Sequence, residues 1–252
     1  MLLARQKKLL QLLDEFDMLS ISEILLKLEA SPATVRRDLT DLAKKGLIVR
    51  SHGGAMKAKG VPTSLTAKKS RNQDCKDAIG KIAAAQICSG DVVFMDCGST
   101  VLSLCRYLKS DLSFRLITNS LAVVAALEEH SQVRISLIGG ELDRLRQAVH
   151  GNMAVNHINQ YHADKAFIGT DGLNVTKGLS AHTESEASIT RAICENAEQV
   201  YLLCDSSKID VEAYIRTGPL TMCHYLVADR AVSPEFIQRI TETGVKILQS
   251  TT

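Results

Sequence analysis

The chain has 252 residues, 45% of them hydrophobic and 23% charged, with a formal net charge of +2; this length suits one small and one medium domain, and these proportions exclude disordered and collagen-like classes. The +2 conceals an asymmetry, because residues 1–81 hold 16 Lys and Arg against 9 Asp and Glu while residues 82–252 hold 14 against 19. No apolar run approaches the ~20 residues that span a bilayer, and Lys7, Lys8, Asp14 and Glu15 interrupt the N-terminal leucines where a signal peptide needs an apolar core, so no membrane partner and a cytoplasmic location are expected.

The first predicted element is an amphipathic helix marked by Leu9, Leu10, Leu13 and Phe16. Ser20-Ile21-Ser22-Glu23 then has the form of a capping box and opens a second helix carrying Ile24, Leu25 and Leu28. After a break at Glu29-Ala30, Ser31 caps a third helix and Pro32 suits its first position, where a missing N–H costs nothing. Val35, Leu39 and Leu42 give this helix a buried stripe. Its opposite side carries Ala33, Arg37, Thr40 and Lys44, flanked by Thr34 and Arg36. Such a face is basic, small and hydroxyl-bearing, and it fits a DNA major groove. Gly46 ends the helix, Leu47-Ile48-Val49 are strand-like, and Ser51-His52-Gly53-Gly54 returns the chain, which makes the unit a winged helix-turn-helix.

An isolated Arg-Arg pair would read as a solvated face. Three helices, a wing and a basic N-terminal third decide instead for double-stranded DNA, because phosphate neutralisation supplies much of the affinity for it. The candidate contacts are Ser31, Ala33, Thr34, Arg36, Arg37, Thr40, Lys44, Arg50, His52 and Gly53. One winged helix covers little DNA, so a homodimer or homotetramer on repeated half-sites is expected.

Residues 1–57 are assigned to this domain, 58–75 to a polar linker and 76–252 to a larger α/β domain. In the latter a helix around Ala78–Ile87 leads into strands at 91–96, 114–118, 134–138, 165–169, 199–204 and 224–228. Each is followed by a glycine or polar turn and then a helix, which implies a mostly parallel sheet covered by helices. Ligands of such sheets sit outside the carboxyl ends of the strands. There Asp96-Cys97-Gly98-Ser99-Thr100 offers hydroxyls and backbone amides to an anion such as phosphate. The seven cysteines are scattered without a C-x-x-C pair or histidines at ligand spacing, so they read as reduced thiols, with no metal and no cofactor. Cys97, inside the glycine loop, is a candidate redox sensor.

Taken in order, P-x-T-V-R-R-D-L, H-G-G-A, D-C-G-S-T, T-N-S, G-G-E-L, G-T-D-G and D-S-S-K resemble the DeoR-type bacterial transcriptional regulators over nearly the whole chain. The resemblance implies a sensor domain related in fold to sugar-phosphate isomerases, and repression of a carbohydrate catabolic operon until a phosphorylated sugar binds. It also implies that Gly98, Ser99 and Thr100 cradle the phosphate and that Asn119, Ser120, Gly139 and Gly140 line the cleft. Asp171, Glu186 and Lys208 would meet sugar hydroxyls or phosphate, with Asp96 and Gly172 beside them. The family commonly has Lys-Arg where Thr190-Arg191 stand, so this chain departs from it there. Arg144 and Arg146 either supply charge near the ligand or lie in a solvated loop. Two other readings are an isomerase, in which Asp96, Asp171, Glu186 and Lys208 do acid–base work, and a DNA-binding protein whose second domain only oligomerises.

Overall fold

The computed structural model describes residues 2–16, 18–51, 54–58 and 64–249. Two compact units divide the chain, Met1–Arg71 and Asn72–Thr252.

The first unit runs α1 (Ala4–Phe16), β1 (Met18–Ser20), α2 (Ile21–Leu28), α3 (Pro32–Lys44), β2 (Ile48–Ser51), β3 (Gly54–Lys57) and α4 (Leu65–Ser70). Ser20 and Glu23 cap α2 reciprocally, the Glu23 amide donating to the Ser20 hydroxyl and the Ser20 amide to the Glu23 carboxylate. Glu29 then turns left-handed at φ 50° and stops the helix. Leu9, Leu13, Ile24, Leu28, Val35, Leu39 and Leu42 form one core with Ile48 and Ala55. The wing is a three-stranded antiparallel sheet in the order β1-β3-β2. Residues 58–75, expected to be a linker, contain α4, which Ser64 caps and whose Leu65 and Ala67 are buried; α4 packs on α1.

The second unit runs α5 (Gln73–Ala84), β4 (Val92–Met95), α6 (Ser99–Leu104), β5 (Phe114–Thr118), α7 (Leu121–Ala126), β6 (Val133–Leu137), β7 (Glu141–Asp143), β8 (Ala148–His150), α8 (Asn152–Ile158) and β9 (Ala163–Ile168). It continues with β10 (Gly172–Asn174), β11 (Gly178–Ala181), α9 (Glu184–Glu195), β12 (Ala197–Cys204), β13 (Ile215–Gly218), β14 (Tyr225–Ala228), α10 (Pro234–Thr241) and β15 (Lys246–Gln249). Seven strands make one wholly parallel sheet in the order β15-β14-β12-β9-β4-β5-β6. Phe94, Ile117, Ala166, Ile168, Val200, Leu202 and Leu226 are buried in its core, as a sheet covered on both faces requires.

The chain winds outward from β4 through β5 and β6, then restarts on the other side of β4 at β9. The order of strands therefore reverses between β4 and β9, and such a reversal opens a crevice at the strand carboxyl ends. The β7–β8 hairpin and a small antiparallel sheet, β10-β11-β13, are added to this frame.

Candidate functional site

In the first unit the buried side of α3 is fixed by Val35, Leu39 and Leu42 and by one charged residue, Asp38. The Asp38 carboxylate accepts from Arg5 Nε at 2.5 Å and from Gln6 Nε2 at 3.3 Å, so α1 holds α3 from behind by an ion pair as well as by packing. Ser31 caps α3, accepting from the Thr34 amide at 3.3 Å and bonding the Thr34 hydroxyl at 2.8 Å. Ser31, Ala33, Arg36, Arg37 and Lys44 are exposed on the other side, and Thr34 and Thr40 are half-buried. Among the described residues neither Arg36, Arg37 nor Lys44 has a carboxylate partner. Arg50, on the wing, donates to Thr40 Oγ1 at 3.1 Å and joins the wing to the same face. His52 and Gly53 lie outside the described residues; Ser51 and Gly54, which flank them, pair across β2 and β3.

In the second unit the strand reversal brings Gly98 against Gly169, where a Cβ built on Gly98 would lie 3.6 Å from the Gly169 Cα. Ser99 and Thr100 open α6, and the first-turn amides of any helix have no acceptor within it. Thr100 Oγ1 is buried and, among the described residues, has no hydrogen-bond partner. Lys208 reaches the same crevice from the turn after β12, donating to the Thr170 carbonyl at 2.7 Å, one residue from Gly169. Its neighbour Asp205 bonds Ser207 and accepts from Asn72 at 3.1 Å. Burial pushes the Asp205 carboxyl up, but the charge of Lys208 and the hydrogen bonds from Ser207 and Asn72 outweigh it, so it titrates below its ordinary value.

Beside this crevice stands a charge cluster built around a buried arginine. Arg146, in the turn between β7 and β8, pairs with Glu186 on the first turn of α9 and lies 3.6 Å from Asp171 Oδ2. The His182 amide also donates to that Asp171 oxygen, at 3.1 Å. Asp171 and Glu186, expected to face a ligand directly, thus share one guanidinium. Arg146 is buried, whereas Arg144 is exposed. Asp96 is buried and accepts from the Cys97 amide at 2.7 Å and the Thr190 hydroxyl at 3.3 Å, so Thr190 supplies a neutral partner at a position where the family commonly has lysine. His150, at the end of β8, lies 3.8 Å from Cys97 Sγ through Nε2.

The remaining predicted residues shape the walls. Asn119 is buried and ties β5 to β8, its side-chain Nδ2 donating to the Val149 carbonyl at 3.1 Å while its backbone carbonyl accepts from the Val149 amide at 2.8 Å. Ser120 caps α7. Gly139 is exposed, its amide donating to His157 Nδ1 at 3.1 Å. At Gly172 a Cβ would lie 2.3 Å from the Val211 carbonyl oxygen, so this glycine is required by close backbone approach. Gly140 has φ 153° and leaves no room beside the His150 carbonyl.

The DeoR-like helix-turn-helix domain matches residues 5–60, and the DeoR C terminal sensor domain matches residues 71–230. The chain belongs to the DeoR family. It is 30% identical over 246 residues to the HTH-type transcriptional regulator GlpR of Haloferax volcanii, covering 97% of this chain and 96% of that protein. It is 29% identical over 244 residues to the glycerol-3-phosphate regulon repressor of Escherichia coli, covering 96% and 97%. It is 28% identical over 246 residues to the transcriptional repressor GlcR of Bacillus subtilis, covering 95% and 93%. A solved structure it is similar to is ribose 5-phosphate isomerase A of Methanocaldococcus jannaschii, with TM-score 0.41 and 20% identity over 55% of each chain.

Within the DeoR-family sensor, sequence reasoning did not single out His150, His182 or Asn72. Each gains its place from residues 11 to 135 positions away. A histidine closing a two-residue run of apolar character, as in Ala148-Val149-His150, gives no local sign that it will point at a thiol.

Proposed function

We propose that this DeoR-family regulator represses a carbohydrate catabolic operon in the cytoplasm, binding double-stranded operator DNA as a homodimer or homotetramer and leaving it when a phosphorylated sugar fills the sensor crevice. The observation that carries the reading is the pairing, in one chain, of an exposed cationic helix face with a crevice that collects Gly98, Ser99, Thr100 and Lys208 at a strand reversal. Arg36, Arg37 and Lys44 meet phosphates or base edges. In the sensor, Lys208 and the loop amides take the sugar's phosphate, and the buried Thr100 hydroxyl supplies a further hydrogen bond.

We read the crevice as a binding site without catalysis. Asp171 and Glu186 are tied to Arg146, and a carboxylate so neutralised is a weak general base. Sugar hydroxyls are served by the same carboxylates as acceptors.

The test is fluorescence anisotropy on a DNA fragment from upstream of the gene, with phosphorylated sugars and their unphosphorylated counterparts titrated in turn. One phosphosugar is expected to weaken DNA binding roughly 5- to 150-fold, the range of ordinary allosteric coupling, and its unphosphorylated form much less. Lys208→Ala and Thr100→Val should bind DNA as the parent does and release it only at higher ligand concentration. Release by both variants at the parent's concentration refutes the placement of the ligand.

A further inference from the structure

The chain's seven cysteines do not share one environment. Burial pushes the thiols of Cys105, Cys204 and Cys223 up to about 12, and raises that of Cys194 as well. Cys75 is raised by burial and by the nearby carboxylates of Asp229 and Asp205. Cys88 is exposed, and among the described residues no histidine lies within hydrogen-bond distance of its sulfur. Cys97 differs from all of these. It is half-buried, its Sγ lies 3.8 Å from His150 Nε2, and the other ring nitrogen of His150 lies 4.0 Å from Asp143 Oδ2. Asp143 and His150 both come from the β7–β8 hairpin, whose register pairs Asp143 with Ala148 and Glu141 with His150.

The groups that bear on the imidazole are Asp96 and Asp143, which favour its protonation, and Arg146, which opposes it. Burial is the largest influence and, with Arg146, keeps the ring below its ordinary pKa. A neutral imidazole has a lone pair for a thiol proton, and a thiol beside such a base is the arrangement that activates a sulfur nucleophile.

We propose that Cys97 is an oxidation site, a thiol that reacts with hydroperoxides to give a sulfenic acid, with His150 as the base that takes its proton. The sulfur attacks one peroxide oxygen, an S–O bond forms and the O–O bond breaks. Sulfur gives up two electrons, the second oxygen leaves with the O–O pair as hydroxide from hydrogen peroxide or as alkoxide from an organic hydroperoxide, and the proton on His150 Nε2 passes to it to make water or the alcohol. Reactivity of this kind follows thiolate character and access, and of the seven cysteines only Cys97 combines an adjacent imidazole with partial exposure among the described residues. The oxidation would add an oxygen immediately before Gly98, Ser99 and Thr100. Its effect on effector release rests on the reading given under Proposed function; the chemistry of the thiol does not.

The experiment treats the full-length protein with limiting hydrogen peroxide, traps sulfenic acid with dimedone and quantifies label at each cysteine by mass spectrometry, with neither DNA nor sugar present. Cys97 is expected to take label about tenfold or more faster than Cys88, and His150→Gln to lower the Cys97 rate while leaving Cys88 unchanged. Silence of the four buried cysteines certifies that the variant is folded. If His150→Gln labels those four, the wild-type rate against pH decides instead: Cys97 should reach its plateau below the ordinary thiol pKa of about 8.5. Equal rates at Cys97 and Cys88, an unchanged Cys97 rate in a folded His150→Gln, or an ordinary thiol profile each overturn the proposal.

Discussion

In the winged helix, Arg36, Arg37 and Lys44 stand exposed and, among the described residues, without carboxylate partners, whereas in the sensor Arg146 is buried and bound to Asp171 and Glu186, whose side chains are only 9% and 12% exposed. The two arrangements answer different costs. An exposed cation keeps its hydration until a polyanion arrives, and displacement of counterions from that polyanion then supplies affinity. A charge taken out of water must find a partner within the protein, because an isolated buried ion is worth several kcal/mol of destabilisation. A DNA-reading face therefore holds its cations ready. A sensor must hold its carboxylates in pairs, and a ligand that uses them has to exchange partners with Arg146. Asp38 shows that the first unit obeys the same rule where it is buried, since its carboxylate is met by Arg5 and Gln6.

The comparison breaks most visibly at Arg146. Arg146→Met leaves Asp171 and Glu186, largely shielded from water, without their cation and should cost about 3–5 kcal/mol, measured as a lowered urea midpoint of the sensor transition. A change below about 1 kcal/mol would mean that the cluster is well solvated and that the contrast drawn between the two units is mistaken.

The exposed face gives a smaller effect, on binding and not on folding. Arg37→Ala should weaken operator binding by about 1–3 kcal/mol if Arg37 meets a base edge; if it meets a phosphate, the loss should be uniform across sequences, with a salt slope shallower by about 1. Stability should stay within about 0.5 kcal/mol of the parent, as for an ordinary surface substitution. Gel-shift titrations at several salt concentrations, beside thermal melts, measure both quantities; unchanged affinity and salt slope would remove Arg37 from the interface.

His150 sharpens the comparison most finely, because it is a buried group kept neutral. Its folded-state pKa is lowered, chiefly by burial and also by Arg146 against the pull of Asp96 and Asp143, so the unfolded chain binds this proton more readily. The stability it contributes is complete above the ordinary histidine pKa of about 6.5 and is lost as pH falls through the folded value. Urea titrations between pH 7.5 and 5 should show a decline in sensor stability that His150→Gln reduces. An identical decline in the variant would assign the effect to other groups.

What was legible in advance was whatever depends on neighbours in sequence. The serine caps and helical stripes of α2 and α3 are set by groups three and four residues apart, and the residues that the sequence put on the DNA-facing side of α3 are exposed or half-buried there. The six strands read from apolar runs are β4, β5, β6, β9, β12 and β14, displaced by at most two residues at either end. Shorter pieces escaped. Met18-Leu19-Ser20 is too brief to alternate, Glu141-Leu142-Asp143 is two-thirds acidic, and the edge strand β15 lies beyond the last run that was read.

Sequence by itself determined the two-part plan, the winged reader, the parallel sheet and the chemistry gathered at the strand ends, because caps, turns and apolar periods act over a few residues. Only the tertiary structure decided which of those groups meet. The reversal of strand order between β4 and β9 sets Gly98 against Gly169 and lets Lys208 reach Thr170. The β7–β8 hairpin delivers Arg146 to Asp171 and Glu186, and His150 to Cys97. Those contacts close loops of 25 to 71 residues, and the polar partners are selected by burial: a charge or polar group removed from water must be met by whatever the topology brings beside it.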